Sequence, residues 1–479
     1  MSWRRIPRFL LFTMSFAGSV VIGGIPVSAA DKPGDTEVRK LTIHPAAEPI
    51  PALKYQLLPG LMERTPGNAA ALYNRILIQL DDQLTEDAEK KIDGWQGTEG
   101  ELPIAEVRDV LKPLEPLLNE LAVAARRDSC QWDIPFGKGK NPFTVVLPEL
   151  QKQRKLARIL YVQTRLAIQE GRYDDAVELL KTGFAFARDI GNGPTLIHGL
   201  VGIAVSNILM QQVEELSQHA GAPNLYWALA AMPRPLIDLR RGLETEMHIL
   251  DLWMPDLQDP ESAGDDPAFW EAKLNEVTAG VRDMVGGTEP EAGYRAVLTL
   301  MALKGYPKAV EYMVSRGHSR EEVAAMHAAR VLLTATIENY RRQRDAAFKW
   351  HFLPFQEARQ GVSDWEAQFA REGHDNEVFP LASMILPAIG AGKLAVARHH
   401  RSLEATRFIE AVRIHAAATG SLPLRAEEIT AVPVPTDPVW GRPFDVRRDG
   451  DTLVIESAPV RFRSDKGEHG LRVEVQLAK

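Results

Sequence analysis

The chain has 479 residues, 45% of them apolar and 25% charged, with 35 Gly and 32 Pro. That length and apolar content can bury large cores in two or three domains, and the ordinary Gly and Pro content argues against a fibrous or disordered protein. Acidic residues (64) outnumber basic ones (56), giving a net charge of −8 that argues against nucleic acid as a partner.

At the amino end, Arg4, Arg5 and Arg8 precede an apolar stretch over residues 9–25, and Val27-Ser28-Ala29-Ala30 places small residues where a signal peptidase reads. The pattern predicts an export signal over residues 1–30 and a periplasmic or extracellular protein. An uncleaved anchor is the alternative, since residues 9–25 approach the roughly 17 to 25 needed to span a bilayer; Gly18, Gly23, Gly24 and Pro26 weaken it. The leader holds three of the 56 basic residues and no acidic one, so its loss leaves 53 against 64 and a net charge of about −11.

Residues 31–67 are Pro-rich and read as an extended segment laid over the helical body, with a short possible strand at Leu41-Thr42-Ile43. Helical spacing of apolar residues then recurs at about 68–82, 104–127, 147–170, 173–189, 194–219, 223–252, 266–285, 290–316 and 319–349. The expected fold is mainly α: irregular stacked helical hairpins, α-solenoid-like, over 68–375, followed by a long helix and a small antiparallel sheet over 376–479. Glu170-Gly171-Arg172-Tyr173-Asp174-Asp175-Ala176-Val177-Glu178-Leu179-Leu180 resembles the turn and second helix of a tetratricopeptide repeat, with a fainter echo at Gly305-Tyr306-Pro307. The lone Cys130 cannot form an intrachain disulfide. Its surroundings match no cysteine-hydrolase signature, so it reads as a small buried apolar residue rather than a nucleophile.

Chemical signatures are sparse. The chain has no His-Glu-x-x-His, Cys-x-x-Cys, Gly-x-Ser-x-Gly or Gly-x-x-x-x-Gly-Lys-Ser/Thr. The basic loop Phe136-Gly137-Lys138-Gly139-Lys140-Asn141-Pro142 lacks the helix start that would turn it into a phosphate cradle. Glu244, His248 and Asp251 share one face at i, i+4 and i+7, a spacing that suits zinc and equally a surface ion pair on a helix whose Leu236, Leu239, Leu243 and Leu250 face the core. The densest aromatic and basic band is Tyr340, Arg341, Arg342, Arg344, Phe348, Trp350, His351, Phe352 and Phe355. Within it Tyr340, Arg344, Phe348, Trp350, Phe352 and Phe355 are the candidate peptide-binding residues, because rigid aromatics and arginine forks make contact area; a helix end packed into its neighbour is the other reading.

In the last hundred residues, Ala405, Phe408, Ile409, Val412 and Ala416 form an apolar stripe, with Glu404, Arg407, Glu410 and Arg413 expected to face elsewhere. Gly420 and Pro423 should stop the helix. Strands are expected at 444–446, 452–455, 460–463 and 471–475, with Asp449-Gly450 as a hairpin turn. The run from Gly420-Ser421-Leu422-Pro423 to Asp437-Pro438-Val439-Trp440-Gly441-Arg442-Pro443-Phe444 resembles a pseudopilin periphery, although the Gly-Phe-[Ser/Thr]-Leu-x-Glu processing site of pseudopilins does not occur. Pro194-Thr195-Leu196, the segment 222–229 and the segment 235–241 resemble a family of exported planctomycete-type proteins. That resemblance implies the architecture and no particular chemistry.

Two functions are compatible with these residues. One is an exported, non-catalytic scaffold that needs no cofactor and binds an envelope protein or peptide, touching the membrane only if the leader is retained. The other is an envelope hydrolase whose acid/base or metal groups, Glu244, His248 and Asp251, converge only in the fold. The leader carries the first testable expectation: amino-terminal sequencing of protein from its native host should begin at Ala30 or Asp31, and an intact Met1 on membrane-bound protein would contradict cleavage.

Overall fold

A computed structural model describes residues 36–97, 100–134, 147–285, 291–376, 379, 381–461 and 468–478. The export signal, the basic loop 136–142 and residues 462–467 of the expected last hairpin lie outside the described residues. The fold is mainly α with a small C-terminal sheet.

Three helices, Pro148–Gln169, Tyr173–Gly191 and Leu196–Ser217, pack on one another in sequence. The first turn between them is set by Gly171 at φ +71, a left-handed position that glycine adopts without strain. Gly171 N–H reaches Ile168 O (3.0 Å) and Arg172 N–H reaches Ala167 O (2.9 Å), which closes the helix end. Beyond it Ala176, Val177, Leu180 and Phe184 turn into the core, so the segment around Gly171 joins two helices of a hairpin. Gly305, by contrast, opens no turn and lies inside helix Glu291–Ser315. Helix Leu196–Ser217 is apolar and long enough to cross a membrane, but 72% of its apolar window is buried inside the protein. It is the central helix, and at Gly202 its neighbour comes so close that a Cβ would lie 2.6 Å from Ala187 O.

Against this stack lie Ala69–Gln83, Glu86–Gly97, Ile104–Leu111 and Glu115–Ala124 on the amino-terminal side of the sequence. A second helical group, Pro267–Val285, Glu291–Ser315, Ala328–Phe348 and Phe355–Asn376, packs together and onto the long helix Pro387–Thr419. Several expected helices are shorter than their apolar pattern. The 104–127 run is interrupted by a 3-10 turn at Lys112–Leu114 that contains Pro113. The 223–252 run is three pieces, Tyr226–Ala230, Arg240–Met247 and Ile249–Trp253, because Pro233 and Pro235 supply no N–H to a helical ladder. The 319–349 run divides between Arg320–Ala325 and Ala328–Phe348. Helices Glu86–Gly97 and Phe355–Asn376 have no counterpart among the expected elements.

The 33-residue helix Pro387–Thr419 is about 50 Å long. It stops, as expected, at Gly420, whose φ of 74 and ψ of 7 are left-handed. Its two halves serve different cores: Leu403 belongs to the helical core, whereas Ala405, Phe408, Ile409 and Val412 meet Leu453, Ile455, Leu471, Val473 and Val475 of the sheet.

That sheet has four strands in the spatial order Glu37–Ile43, Glu468–Leu477, Thr452–Arg461, Asp445–Asp449. The last three are antiparallel. The expected strands 452–455 and 460–463 are one continuous strand through residue 461, with a register shift between Ser457 and Val460 where Pro459 cannot donate to the ladder. The fourth strand is the Leu41-Thr42-Ile43 segment. It pairs in parallel with Glu468–Leu477, Leu41 opposite Val475 and Ile43 opposite Leu477, and buries Leu41 and Ile43 in the sheet core, while Arg39 and His44 N–H also reach the central helix at Glu214 and Ser217 O.

The hairpin differs by one residue from its expected register. Asp449 pairs with Thr452, so the two loop residues are Gly450 and Asp451. Gly450 has φ +58 and Asp451 is not in the positive-φ region, the pattern of a II′ turn with glycine first. Gly450→Val should lower stability by about 1 kcal/mol or more, whereas Asp449→Asn, at the last strand position, should leave the melting temperature nearly unchanged; equal losses in thermal melts of the two variants would contradict the turn.

Candidate functional site

The candidate band does not form one surface. Tyr340, Phe348 and Phe355 are buried at 1%, 3% and 9% exposure; the first two belong to the helical core, and Phe355 packs with Val439 and Val460. Trp350 is half-buried and stands over Gly361, where any side chain would run into its ring. Phe352 is different: it is 73% exposed, beside Leu353 at 39%. It ends the 3-10 turn Lys349–Phe352, whose backbone is held by Lys393, with Nζ donating to Leu353 O (2.5 Å) and His351 O (3.4 Å). Burial alone brings Lys393 down to about 8, and burial with the nearby Lys393 charge brings His351 down to about 3.

The arginines of the band and the candidate metal ligands converge. Arg341 Nη2 donates to Asp251 Oδ1 (2.8 Å) and to Leu257 O (3.1 Å). Arg344 lies 3.6 Å from Asp251 Oδ2 and donates to Met247 O (3.0 Å). His248 Nδ1 is 3.4 Å from the same carboxylate. His248, Asp251, Leu252, Gln258 and Arg341 line an open hollow of about 550 Å³. Glu244 is exposed on the next turn back, and the helix is interrupted at His248, the cap between Arg240–Met247 and Ile249–Trp253. Among the described residues no group of three His, Cys, Asp or Glu side chains is placed to hold a metal ion; Asp251 is occupied by two guanidinium groups.

A buried polar seam along Pro387–Thr419 departs from the sequence expectation. Glu404, Glu410 and Arg413, expected to face away from the core, are 4%, 1% and 0% exposed, because that stretch lies between the body helices and the sheet. Arg413 donates to both Glu410 oxygens (3.0 and 2.9 Å), to His44 O (2.9 Å), to Pro223 O (3.0 Å) and to Ala222 O (2.9 Å). Glu410 also accepts from Leu225 N–H (2.9 Å). Further along, Arg39 reaches Glu214 (2.6 Å) and Ser402 (2.8 Å), and Thr406 donates to the same Glu214 oxygen (2.9 Å). His399 Nε2 lies 2.7 Å from Ser206 Oγ. That spacing would suit a nucleophile and its base, but both residues are sealed from solvent at 2% and 0% exposure, and burial, with the adjacent His400, holds His399 down to about 4. The pair is a neutral joint between two helices.

Cys130 is half-buried, and burial foremost pushes its thiol well above the ordinary range, the reverse of what an activated nucleophile needs. It sits on the wall of a second hollow, of about 270 Å³, together with Arg64, Arg127, Asp128, Ser129, Arg188, Asp189 and Asn192. These side chains come from separated segments, so no spacing announces them.

No protein-family model, curated protein or solved structure matches this chain.

The seam has a pH signature. Burial opposes ionisation of Glu404, but His400, Arg234 (2.7 Å) and Arg407 (2.8 Å) together outweigh it and bring the carboxyl down to about 2. A carboxyl depressed on folding stabilises fully above its unfolded value, near 4.5, and loses that contribution as pH falls toward 2. Stability should therefore decline over about pH 4.5 to 2, and Glu404→Gln should flatten that part of the curve while lowering stability at pH 7, measured by urea unfolding across the range.

Proposed function

We propose that the protein is an exported binding scaffold, not a catalyst, whose helical body recognises a protein or peptide of the cell envelope. The observation that carries the reading is Phe352: a large aromatic side chain, 73% exposed, on a turn whose carbonyls are clamped by Lys393. An aromatic presented on a fixed backbone loses little entropy on docking and supplies much apolar area, the character of an interface anchor. Leu353, 39% exposed, extends the apolar tip. The competing hydrolase reading draws less support, since Asp251 is engaged by Arg341 and Arg344 and Glu244 and His248 stand exposed beside it. Export rests on the leader arginines and apolar stretch, and a net negative mature chain is consistent with a protein partner rather than a nucleic acid.

Capture of partners from native envelopes by the immobilised protein tests the proposal. Phe352→Ala should weaken capture by roughly 2 kcal/mol, about thirtyfold in affinity, without lowering the melting temperature, because the side chain touches little of its own chain. Glu244→Ala combined with His248→Ala should leave capture unchanged. Capture indifferent to Phe352, together with a hydrolytic activity lost in the Glu244/His248 variant, would replace the scaffold by an enzyme.

A further inference from the structure

We propose that the hollow bounded by Arg64, Arg127 and Arg188 is a binding site for a small oxyanion, a phosphate or carboxylate group. The inference is independent of the docking role of Phe352 and draws on different elements.

The hollow is built where three segments meet. Strand Thr65–Asn68 pairs in parallel with Arg127–Ser129, and the end of helix Tyr173–Gly191 brings Arg188, Asp189 and the cap residue Asn192 against them. The walls are fixed by hydrogen bonds. Thr65 N–H donates to Arg126 O (2.8 Å), Arg127 Nη1 to Pro66 O (2.6 Å), and Arg64 Nε to Pro59 O (3.2 Å). At the base, Tyr73 Oη donates to Asp189 Oδ2 (2.8 Å) and Trp132 Nε1 to Asp189 O (2.8 Å), with the two rings stacked at 5.7 Å.

The charges are unbalanced. The guanidinium groups of Arg64 and Arg127 donate to backbone carbonyls, and neither arginine has an ion pair among the described residues. The carboxylate beside Arg188 is Asp189, 3.6 Å away. Burial foremost raises Asp189 to about 6, although Arg188 and Tyr73 pull the other way, so at neutral pH it still stands as a carboxylate beside Arg188. Asp128 instead receives Gly67 N–H (3.0 Å). Elsewhere the described arginines are commonly matched to acids, as in Arg413–Glu410 or Arg172 with Glu170 and Asp175. Arg64 and Arg127 are held by neutral carbonyls and Arg188 is shared with Asp189, so three guanidinium groups face two carboxylates, Asp128 and Asp189, in the lining, and planar guanidinium forks pair with the oxygens of phosphate or carboxylate. A hollow of about 270 Å³ admits an ion of that size and falls below the range that encloses drug-sized ligands.

Titration calorimetry of the full chain at constant ionic strength, with inorganic phosphate and separately with succinate, tests the site. One equivalent of at least one probe should bind; phosphate alone would identify a phosphate site, succinate alone a carboxylate site. Arg188→Gln should weaken binding about tenfold or more, as should Arg64→Gln with Arg127→Gln, whereas Asp189→Asn, which removes a negative charge and keeps an acceptor for Tyr73, should not weaken it. Thermal melts of each variant check folding, and Arg188→Gln suffices if the double variant fails to fold. Binding of neither probe, or equal binding by the folded arginine variants and the parent, overturns the proposal.

Discussion

The structure depends on a buried ion pair. Arg413 and Glu410 are each about 1% exposed in their side chains and 2.9 Å apart. Taking such a pair out of water costs several kcal/mol per ion, and the cost is recovered only when the remaining donors and acceptors are also satisfied. Here they are. The guanidinium reaches three backbone carbonyls as well as its carboxylate, and Glu410 receives the Leu225 amide. Removal of either partner would strand the other, a loss of about 3–5 kcal/mol, so the pair fixes where three segments must be: the long helix, the 222–225 loop and the strand leaving His44.

The rest of the seam extends the same constraint into the sheet. Arg39 of the edge strand binds Glu214 on the central helix and Ser402 on the long helix, which holds Glu37–Ile43 in register beside Glu468–Leu477. On the far side, Arg401 donates to His469 O (3.1 Å), and Ser457 donates to Asp437 (2.5 Å). Asp437 is also the pivot of the turn that follows it. Its carboxylate accepts from Val439 N–H (2.8 Å), its carbonyl accepts from Gly441 N–H (2.8 Å), and Gly441 sits at φ +67. The Asp-Pro-x-Trp-Gly run is thus a turn closed on its own aspartate, and Trp440 fastens it by donating to Ala458 O (3.0 Å).

Legibility in the sequence tracks the range of the interaction. Local determinants are readable: the Gly171 turn, the Gly420 stop and the Ala405-to-Ala416 stripe each depend on residues within a few positions. The burial of Glu404, Glu410 and Arg413 is not, because charged residues opposite an apolar stripe normally mark a solvated face, and only a second layer of structure reverses that. The Glu37–Ile43 strand is visible only as Leu41-Thr42-Ile43; its parallel partner lies across the whole helical body. In the aromatic band, Tyr340 and Phe348 keep the helical phase of the buried Leu333 and Ile337. At Lys349 the helix tightens to a 3-10 turn, the phase is lost, and Phe352 emerges. Composition locates the band, but a change of helix type chooses which ring faces solvent.

A chain with one cysteine has to hold distant segments together without disulfides. Here cations aimed at backbone carbonyls contribute that function. Arg413 joins segments 44 and 222–223 to the long helix; Arg165 ties Trp95 O (2.8 Å) and Gly100 O (2.5 Å) to the central stack; Arg344 holds Met247 O (3.0 Å). Arg448 reaches Leu422 O (3.0 Å), and Lys393 clamps the 351–353 turn. Many of these carbonyls lie in loops or at helix ends, where the backbone lacks an intrahelical partner, and a planar fork can satisfy two at once. The same device that fixes loops also fixes the two candidate binding features, Phe352 through Lys393 and the arginine-lined hollow through Arg64 and Arg127. What distinguishes the hollow is that two of its three guanidinium groups, Arg64 and Arg127, close on neutral carbonyls rather than on a carboxylate, the feature on which the proposed anion site rests.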